Sequence, residues 1–233
     1  MQVFYSNKIS NQTILIDGQE HIHLSKVLRK KEGDLVSVCN GNGLMVQGEI
    51  ISISNKETVL KQTEILAQES VKQNNLVLAV APTKSMDRYE WMIEKCTEIG
   101  VSRIVPFYSQ HSERRRLKVD RLRLIAISAM KQSKTLFLPD ISEALSYKEF
   151  LKSENLSEKY IAYMDEHTRS ITEVISKIDR KKEVLIAIGP EGGFSEKEIQ
   201  DAKDNNYSSI TLGTKRLRTE TAAVFCSAAY QLL

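Results

Sequence analysis

Two segments carry the residue types best suited to chemistry: Gly189-Pro190-Glu191-Gly192-Gly193-Phe194-Ser195, and Leu212-Gly213-Thr214-Lys215-Arg216-Leu217-Arg218-Thr219-Glu220-Thr221-Ala222-Ala223. The first follows the apolar run Val184-Leu185-Ile186-Ala187-Ile188, and Ser195 with Glu198 forms a Ser-x-x-Glu capping box that opens a helix. A strand, a Gly-rich turn and a helix therefore follow one another. Glycine allows positive φ and removes the Cβ that would hold a ligand away, so such a turn offers backbone N–H and C=O groups to a small molecule. Neither Gly-x-Gly-x-x-Gly nor Gly-x-x-x-x-Gly-Lys-Ser/Thr occurs, and a dinucleotide fingerprint would sit on the first strand of its domain. The pattern is not the usual nucleotide fingerprint.

The elements that must position these loops follow from the texture of the chain. Residues 3–5, 13–16, 35–39, 44–52 and 58–66 read as short strands, with Asn40-Gly41-Asn42-Gly43 as a hairpin turn. The only helical candidate there is 23–30, with Leu24, Val27 and Leu28 at helical spacing. Residues 1–70 thus predict a small β-barrel or sandwich, and the polar stretch 67–75 is the natural linker. From Leu76 strands and helices alternate: strands at 76–81, 101–107, 160–164, 184–188 and 210–212, and helices from about 86 to 100, 118 to 134, 170–178, 195–205 and 219–232. That alternation predicts an α/β fold with a mostly parallel sheet covered on both faces.

A chain of 233 residues with 41% hydrophobic content can bury one large core or two modest ones, and two domains is the reading adopted. No apolar run is long enough to span a bilayer, and the N-terminus has no secretory pattern, so no membrane and a cytoplasmic location are expected. Cys39, Cys96 and Cys226 are widely spaced and read as buried small hydrophobes. His21-x-His23 lacks a third ligand nearby, and no metal is expected; His111 and His167 flank no nucleophile motif. The net charge of +3 does not by itself announce a nucleic-acid partner.

The two loops, in this order and with a strand between them, resemble the RsmE family, the ribosomal RNA uridine-N3 methyltransferases of the SPOUT superfamily. That family's signature is a Gly-Pro-Glu-Gly-Gly-Phe-Ser loop with a terminal Leu-Gly…Leu-Arg-x-Glu-Thr-Ala loop. The resemblance reaches His23-x-x-x-Val27-Leu28-Arg29…Gly33-Asp34 and Lys95-x-x-Glu98-Ile99-Gly100-Val101…Pro106, and so covers nearly the whole chain. It implies a PUA-like β-barrel at 1–70 that helps hold RNA, and a SPOUT-type α/β knot at 76–233, with the final loop and helix threaded as a trefoil. It also implies S-adenosyl-L-methionine as cofactor, 16S ribosomal RNA of the small ribosomal subunit as substrate, and a homodimer formed through the last helix, with apolar Val224, Phe225, Ala228 and Ala229. Rival readings are the same fold acting on a transfer-RNA base or a ribose 2′-hydroxyl, and a non-catalytic RNA-binding assembly factor.

By the same resemblance, cofactor contacts fall on Ile188, Gly189, Glu191, Gly192, Gly193, Leu212, Gly213, Leu217, Thr221 and Ala222. Uridine N3 is a poor nucleophile until its proton leaves and charge spreads to the flanking carbonyls, so a guanidinium and a carboxylate are the groups to seek. Arg218 is the candidate for the first role, or else an ion-pair partner of Glu220 or Glu191 that shuts the loop. Glu220 and Glu191 are both candidate bases, and the sequence does not separate them. For RNA phosphates the candidates are His23, Lys26 and Arg29 in the small domain, and Lys84, Arg88, Arg114 and Arg115 after strand ends of the large one. Where many members carry Arg after the Gln132-Ser133 pair, this chain has Lys134.

Overall fold

A computed structural model describes residues 2–10, 12–70, 74–164 and 168–232. Residues 71–73 of the expected linker, and His167, lie outside the described residues. The chain divides into two compact units, one of Met1–Lys72 with Ile127–Leu138, the other of Gln73–Ala126 with Pro139–Leu233.

In the first unit, β1 (Val3–Tyr5), β2 (Ile9–Ser10), β3 (Thr13–Asp17), β4 (Leu35–Cys39), β5 (Leu44–Ile53) and β6 (Glu57–Gln68) form a six-stranded sheet in the order β1-β4-β5-β6-β3-β2. The expected hairpin joins β4 to β5, with Asn40 Oδ1 accepting the N–H groups of Asn42 and Leu44. Phe4, Ile14, Ile16, Leu24, Val38, Val46, Ile50 and Leu60 make the buried core. Each such side chain contributes about 1.5–3 kcal/mol on leaving water. A second cluster joins Val3, Cys39 and Met45 to Met130 and Leu136, so residues 127–138 complete this unit.

The helical segment differs from expectation. It begins five residues early as α1 (Gly18–Ile22) and continues as a π-helical turn, His23–Val27, with the Leu28 N–H donating to the His23 carbonyl. The reason is that its first turn is held by polar contacts that hydrophobic periodicity cannot register. Buried His21 Nδ1 lies 2.8 Å from Thr58 Oγ1, and Glu20 accepts from both Lys131 Nζ and the Tyr5 N–H.

In the second unit, β7 (Leu76–Val80) leads through α2 (Met86–Ile99) to β8 (Arg103–Tyr108). Then come α3 (Val119–Ser133), whose second half belongs to the first unit, and the short β9 (Asp140–Ile141) and β10 (Leu145–Ser146). Next are α4 (Tyr147–Ser153), β11 (Glu158–Ala162), β12 (Arg169–Ser170), α5 (Ile171–Ile175), β13 (Val184–Ile188), α6 (Glu196–Asp204), β14 (Ser208–Thr211) and α7 (Thr219–Leu232). All pairings in this sheet are parallel, in the order β10-β8-β7-β13-β11-β14-β12, with β9 also on β8. Every residue of β7 and β13 is buried, as a sheet covered on both faces requires. Helix α2 packs on α7. Phe107, Tyr147, Phe150, Phe194 and Tyr207 form an aromatic cluster, Phe107 and Phe150 stacking at 4.6 Å. Helix α4, which supplies two of these rings, was not expected from the sequence, although Ser146 and Glu149 cap it reciprocally.

Candidate active site

Three neighbouring parallel strands, β13, β11 and β14, end on one edge of the sheet, and the segments that follow them enclose a cleft of about 760 Å³. Carboxyl ends of parallel strands are where open α/β sheets hold ligands. From β13 come Ile188, Gly189, Pro190, Glu191, Gly192, Gly193 and Phe194; from β11, Ala162, Tyr163 and Met164; from β14 and the loop beyond it, residues 210–219 with Ala222.

Local interactions explain why the loops stand where they do. Ser195 caps α6 through the expected box: its Oγ accepts the Glu198 N–H, and the Ser195 N–H donates to Glu198 Oε2 at 2.9 Å. Glu198 Oε1 accepts the Gln110 N–H at 2.7 Å, which draws the segment after β8 toward the same turn. His111 Nδ1 lies 3.1 Å from the Gly193 carbonyl oxygen, and a Cβ on Gly192 would meet His111 Cβ at 2.9 Å. Thr219 Oγ1 donates to the Gly189 carbonyl, and an Arg216 guanidinium N–H donates to the Glu191 carbonyl. The two loops are thus joined at two points.

Of the residues expected at the cofactor, Ile188, Gly189, Glu191, Gly192, Gly193, Leu212, Gly213, Leu217 and Ala222 line this cleft. Thr221 stands outside the lining and is exposed. Tyr163, Met164, Phe194 and Thr219 line it as well, and sequence reasoning did not name them. Tyr163 and Met164 belong to no motif, and only their place after a strand could have flagged them. Gly193 has φ +74°, and a Cβ built there meets nothing within 4 Å among the described residues outside its chain neighbours, so it faces open space on the cleft. With apolar Ile188, Leu212 and Leu217 alongside, the volume and the free backbone suit a nucleoside-sized cofactor such as S-adenosyl-L-methionine.

The charged candidates separate. Arg218 lines the cleft, is exposed, and has no ion-pair partner among the described residues, so the loop-closing bridge to Glu220 or Glu191 is not formed. Glu191 also lines the cleft, with Oε1 accepting the Lys84 N–H at 3.0 Å. Glu220 does not line it. It is buried in the first turn of α7, with Oε1 3.8 Å from Arg88 Nε and Oε2 without a hydrogen-bond partner among the described residues.

Among the candidates for RNA, Lys84, Arg114 and Arg115 come together with Glu113 and Arg116 around a second hollow of about 430 Å³. Arg114 donates twice to the Lys84 carbonyl, Arg115 donates to the Gln110 carbonyl, and Lys84 Nζ pairs with Glu113 at 2.9 Å. Arg88 lies apart from that hollow, at Glu220. His23, Lys26 and Arg29 cluster in the first unit on and after the π-helical turn, the His23 ring 6.0 Å from Phe4. Among the described residues no group of three potential metal ligands occurs, and no helix is long and apolar enough to cross a membrane.

A parallel α/β sheet with a Gly-rich turn and a cationic loop around one cleft, together with a mainly β unit, is the architecture of an α/β transferase, and comparisons with known families make it an RNA-modifying one. Residues 70–231 match the RNA methyltransferase domain family, and residues 16–63 match the RNA methyltransferase PUA domain. The chain belongs to the ribosomal RNA small subunit methyltransferase E family. It is 30% identical to the protein of that name from Rickettsia conorii, over 100% of this chain and 95% of the relative. Among solved structures it is similar to a probable rRNA-methyltransferase from Porphyromonas gingivalis, with 34% identity, TM-score 0.83, and coverage of 98% of this chain and 96% of that one. It is also similar to the ribosomal RNA small subunit methyltransferase E of Neisseria gonorrhoeae bound to S-adenosyl methionine, with 26% identity, TM-score 0.81, and coverage of 99% and 97%.

Proposed function

We propose that this chain methylates N3 of a uridine in 16S ribosomal RNA of the small ribosomal subunit, with S-adenosyl-L-methionine as methyl donor. The observation that carries the reading is the single cleft walled on one side by Gly189–Gly193 and on the other by the loop bearing Arg218. The relatives' names supply the RNA.

When bound, the cofactor supplies an electrophilic methyl group. The chain's own residues prepare the acceptor. Glu191 is the carboxylate in the cleft wall and takes the N3 proton; Arg218, free of other ion pairs among the described residues, faces the charge that spreads to the uracil oxygens. Glu220 acts from behind, holding the start of α7 against Arg88. Ile188, Gly189, Gly192, Gly193, Leu212, Gly213, Leu217 and Ala222 would hold the cofactor, and Lys84, Arg114 and Arg115, with His23, Lys26 and Arg29 from the other unit, would hold RNA phosphates.

The same reading assigns residues 1–70 to RNA holding and 76–233 to methyl transfer, includes the knotted threading of the final loop and helix, and places the protein in the cytoplasm as a homodimer. Exposed Phe225 on α7 and Trp91 on α2, the helix packed against it, support the dimer. The test is methyl transfer to small subunits from cells lacking the enzyme. N3-methylation blocks the Watson–Crick edge, so the expected product is a reverse-transcription stop at one uridine of 16S RNA. Methylation of transfer RNA without that stop would move the acceptor elsewhere, and failure to bind S-adenosyl-L-methionine in a calorimeter would leave a non-catalytic RNA-binding protein.

A further inference from the structure

The cleft rim is charged in the wrong sense for the cofactor alone. Lys215, Arg216 and Arg218 are all exposed on it, and the one acid among the described lining residues, Glu191, has an oxygen that accepts the Lys84 N–H. Even with Glu191 ionised, the described rim keeps a net positive charge, and S-adenosyl-L-methionine, with a sulfonium and an ammonium against one carboxylate, is itself net positive, so the rim as a whole does not favour it. Beyond what the cofactor's single carboxylate can engage, the excess of cations matches the charge of the other substrate, a polynucleotide.

The rim also connects with the second hollow. Arg216 donates to the Glu191 carbonyl, Glu191 Oε1 accepts from the Lys84 N–H, and the Lys84 carbonyl accepts twice from Arg114, which lines the hollow with Arg115 and Arg116. Every step lies within the second unit. The guanidinium groups of Arg114, Arg115 and Arg216 are each anchored on a backbone carbonyl, so they are set in place before a phosphate arrives.

We propose that Lys215 and Arg216 bind RNA phosphates at the cleft mouth and, with Arg114, Arg115 and Arg116, form one track that leads a single RNA strand to the cofactor, delivering its base unstacked into the cleft. This deepens the function proposed above and rests on it. A base inside a duplex cannot reach a methyl group at the bottom of a cleft, and flanking phosphates must be held while it is swung out. Lys215 and Arg216 stand where those phosphates would lie.

The experiment uses the full chain with the substitutions Lys215→Gln and Arg216→Gln together. Unmodified small subunits serve as RNA, and affinity is measured across a salt series. The track requires a shallower slope of log affinity against log salt, by about one to two for two lost phosphate contacts, a higher KM for RNA, and an undiminished affinity for S-adenosyl-L-methionine. The Arg216→Lys variant should recover the slope better than it recovers kcat, since it keeps the charge and loses the anchored fork. An unchanged slope and RNA KM in the double variant overturn the track while leaving the methyltransferase reading intact. Wild-type protein that methylates no RNA overturns both.

Discussion

The Lys84 backbone N–H donates to Glu191 Oε1 at 3.0 Å, joining the loop after β7 to the Gly-rich turn after β13. Glu191 therefore has one oxygen fixed in place, and the proton transfer proposed for it falls to the other. Glu191→Gln separates the two roles, because the amide oxygen still accepts from Lys84 while the basicity is gone. We expect cofactor affinity to be retained and the single-turnover methylation rate to fall by about 10²-fold or more, the usual loss on removing a general base. A rate equal to wild type would make Glu191 an anchor only.

Gly193→Val should abolish cofactor binding while the protein stays folded. Among the described residues, outside its chain neighbours, no atom lies within 4 Å of a Cβ at this position, so the effect comes from φ +74° and from the space the ligand needs. A β-branched residue there costs about 1–2 kcal/mol or more in backbone strain. Calorimetric titration with S-adenosyl-L-methionine and a thermal melt check both parts; unchanged affinity would remove this turn from the cofactor site.

Arg218→Lys should lower the methyl-transfer rate far more than cofactor affinity. The guanidinium has no ion pair to lose among the described residues, so a change in rate reports its action on the substrate. Single-turnover kinetics at saturating cofactor give the answer, and a wild-type rate would deny Arg218 a transition-state role.

Arg88→Ala should destabilise the protein, because it strips the partner from a buried carboxylate whose second oxygen already lacks a hydrogen bond. Arg88 is itself half exposed, so the loss should be about 1–2 kcal/mol, below the range for a fully buried pair. Adding Glu220→Gln should restore much of it. Urea denaturation of the single and double variants measures the coupling, and additive losses would show that the two side chains are independent.

Burial pushes the Cys96 thiol up to about 12 and the Cys39 thiol up to about 11, and raises Cys226 as well. These thiols keep their protons in the folded state while the unfolded chain loses them near pH 9. Their contribution is complete below about pH 9 and declines as pH rises from there toward 12. The urea midpoint should therefore drop between pH 8 and 10, and native protein at pH 8 should resist thiol reagents. Rapid labelling of the folded protein would contradict the burial.

Much of this was legible in the sequence because the relevant signals are local. The capping box at Ser195, the buried runs of β7 and β13, and the glycines of the turn each announce their own structure. Helix α4 was equally announced by Ser146 and Glu149, but its seven residues are too few for periodicity to register. The surroundings of Glu191 and Glu220 were not legible, since two acids in neighbouring motifs differ in what folding places beside them: a backbone N–H in one case, a guanidinium and an oxygen without a donor among the described residues in the other. Tyr163 and Met164 reach the cleft only because β11 lies between β13 and β14. Strand order of that kind is a long-range property that no window of sequence contains.

The discontinuity of the first unit constrains the order in which the protein can take shape as it is synthesised. Its six strands have all emerged by Gln68, yet Val3, Cys39 and Met45 await Met130 and Leu136 to close over them. By then β7, α2 and β8 have been translated. The first unit cannot close before residue 138 has been made, and the second, which needs β14 and α7, closes later still, so a nascent chain passes through a stage with an apolar face uncovered, the kind of surface on which chaperones act.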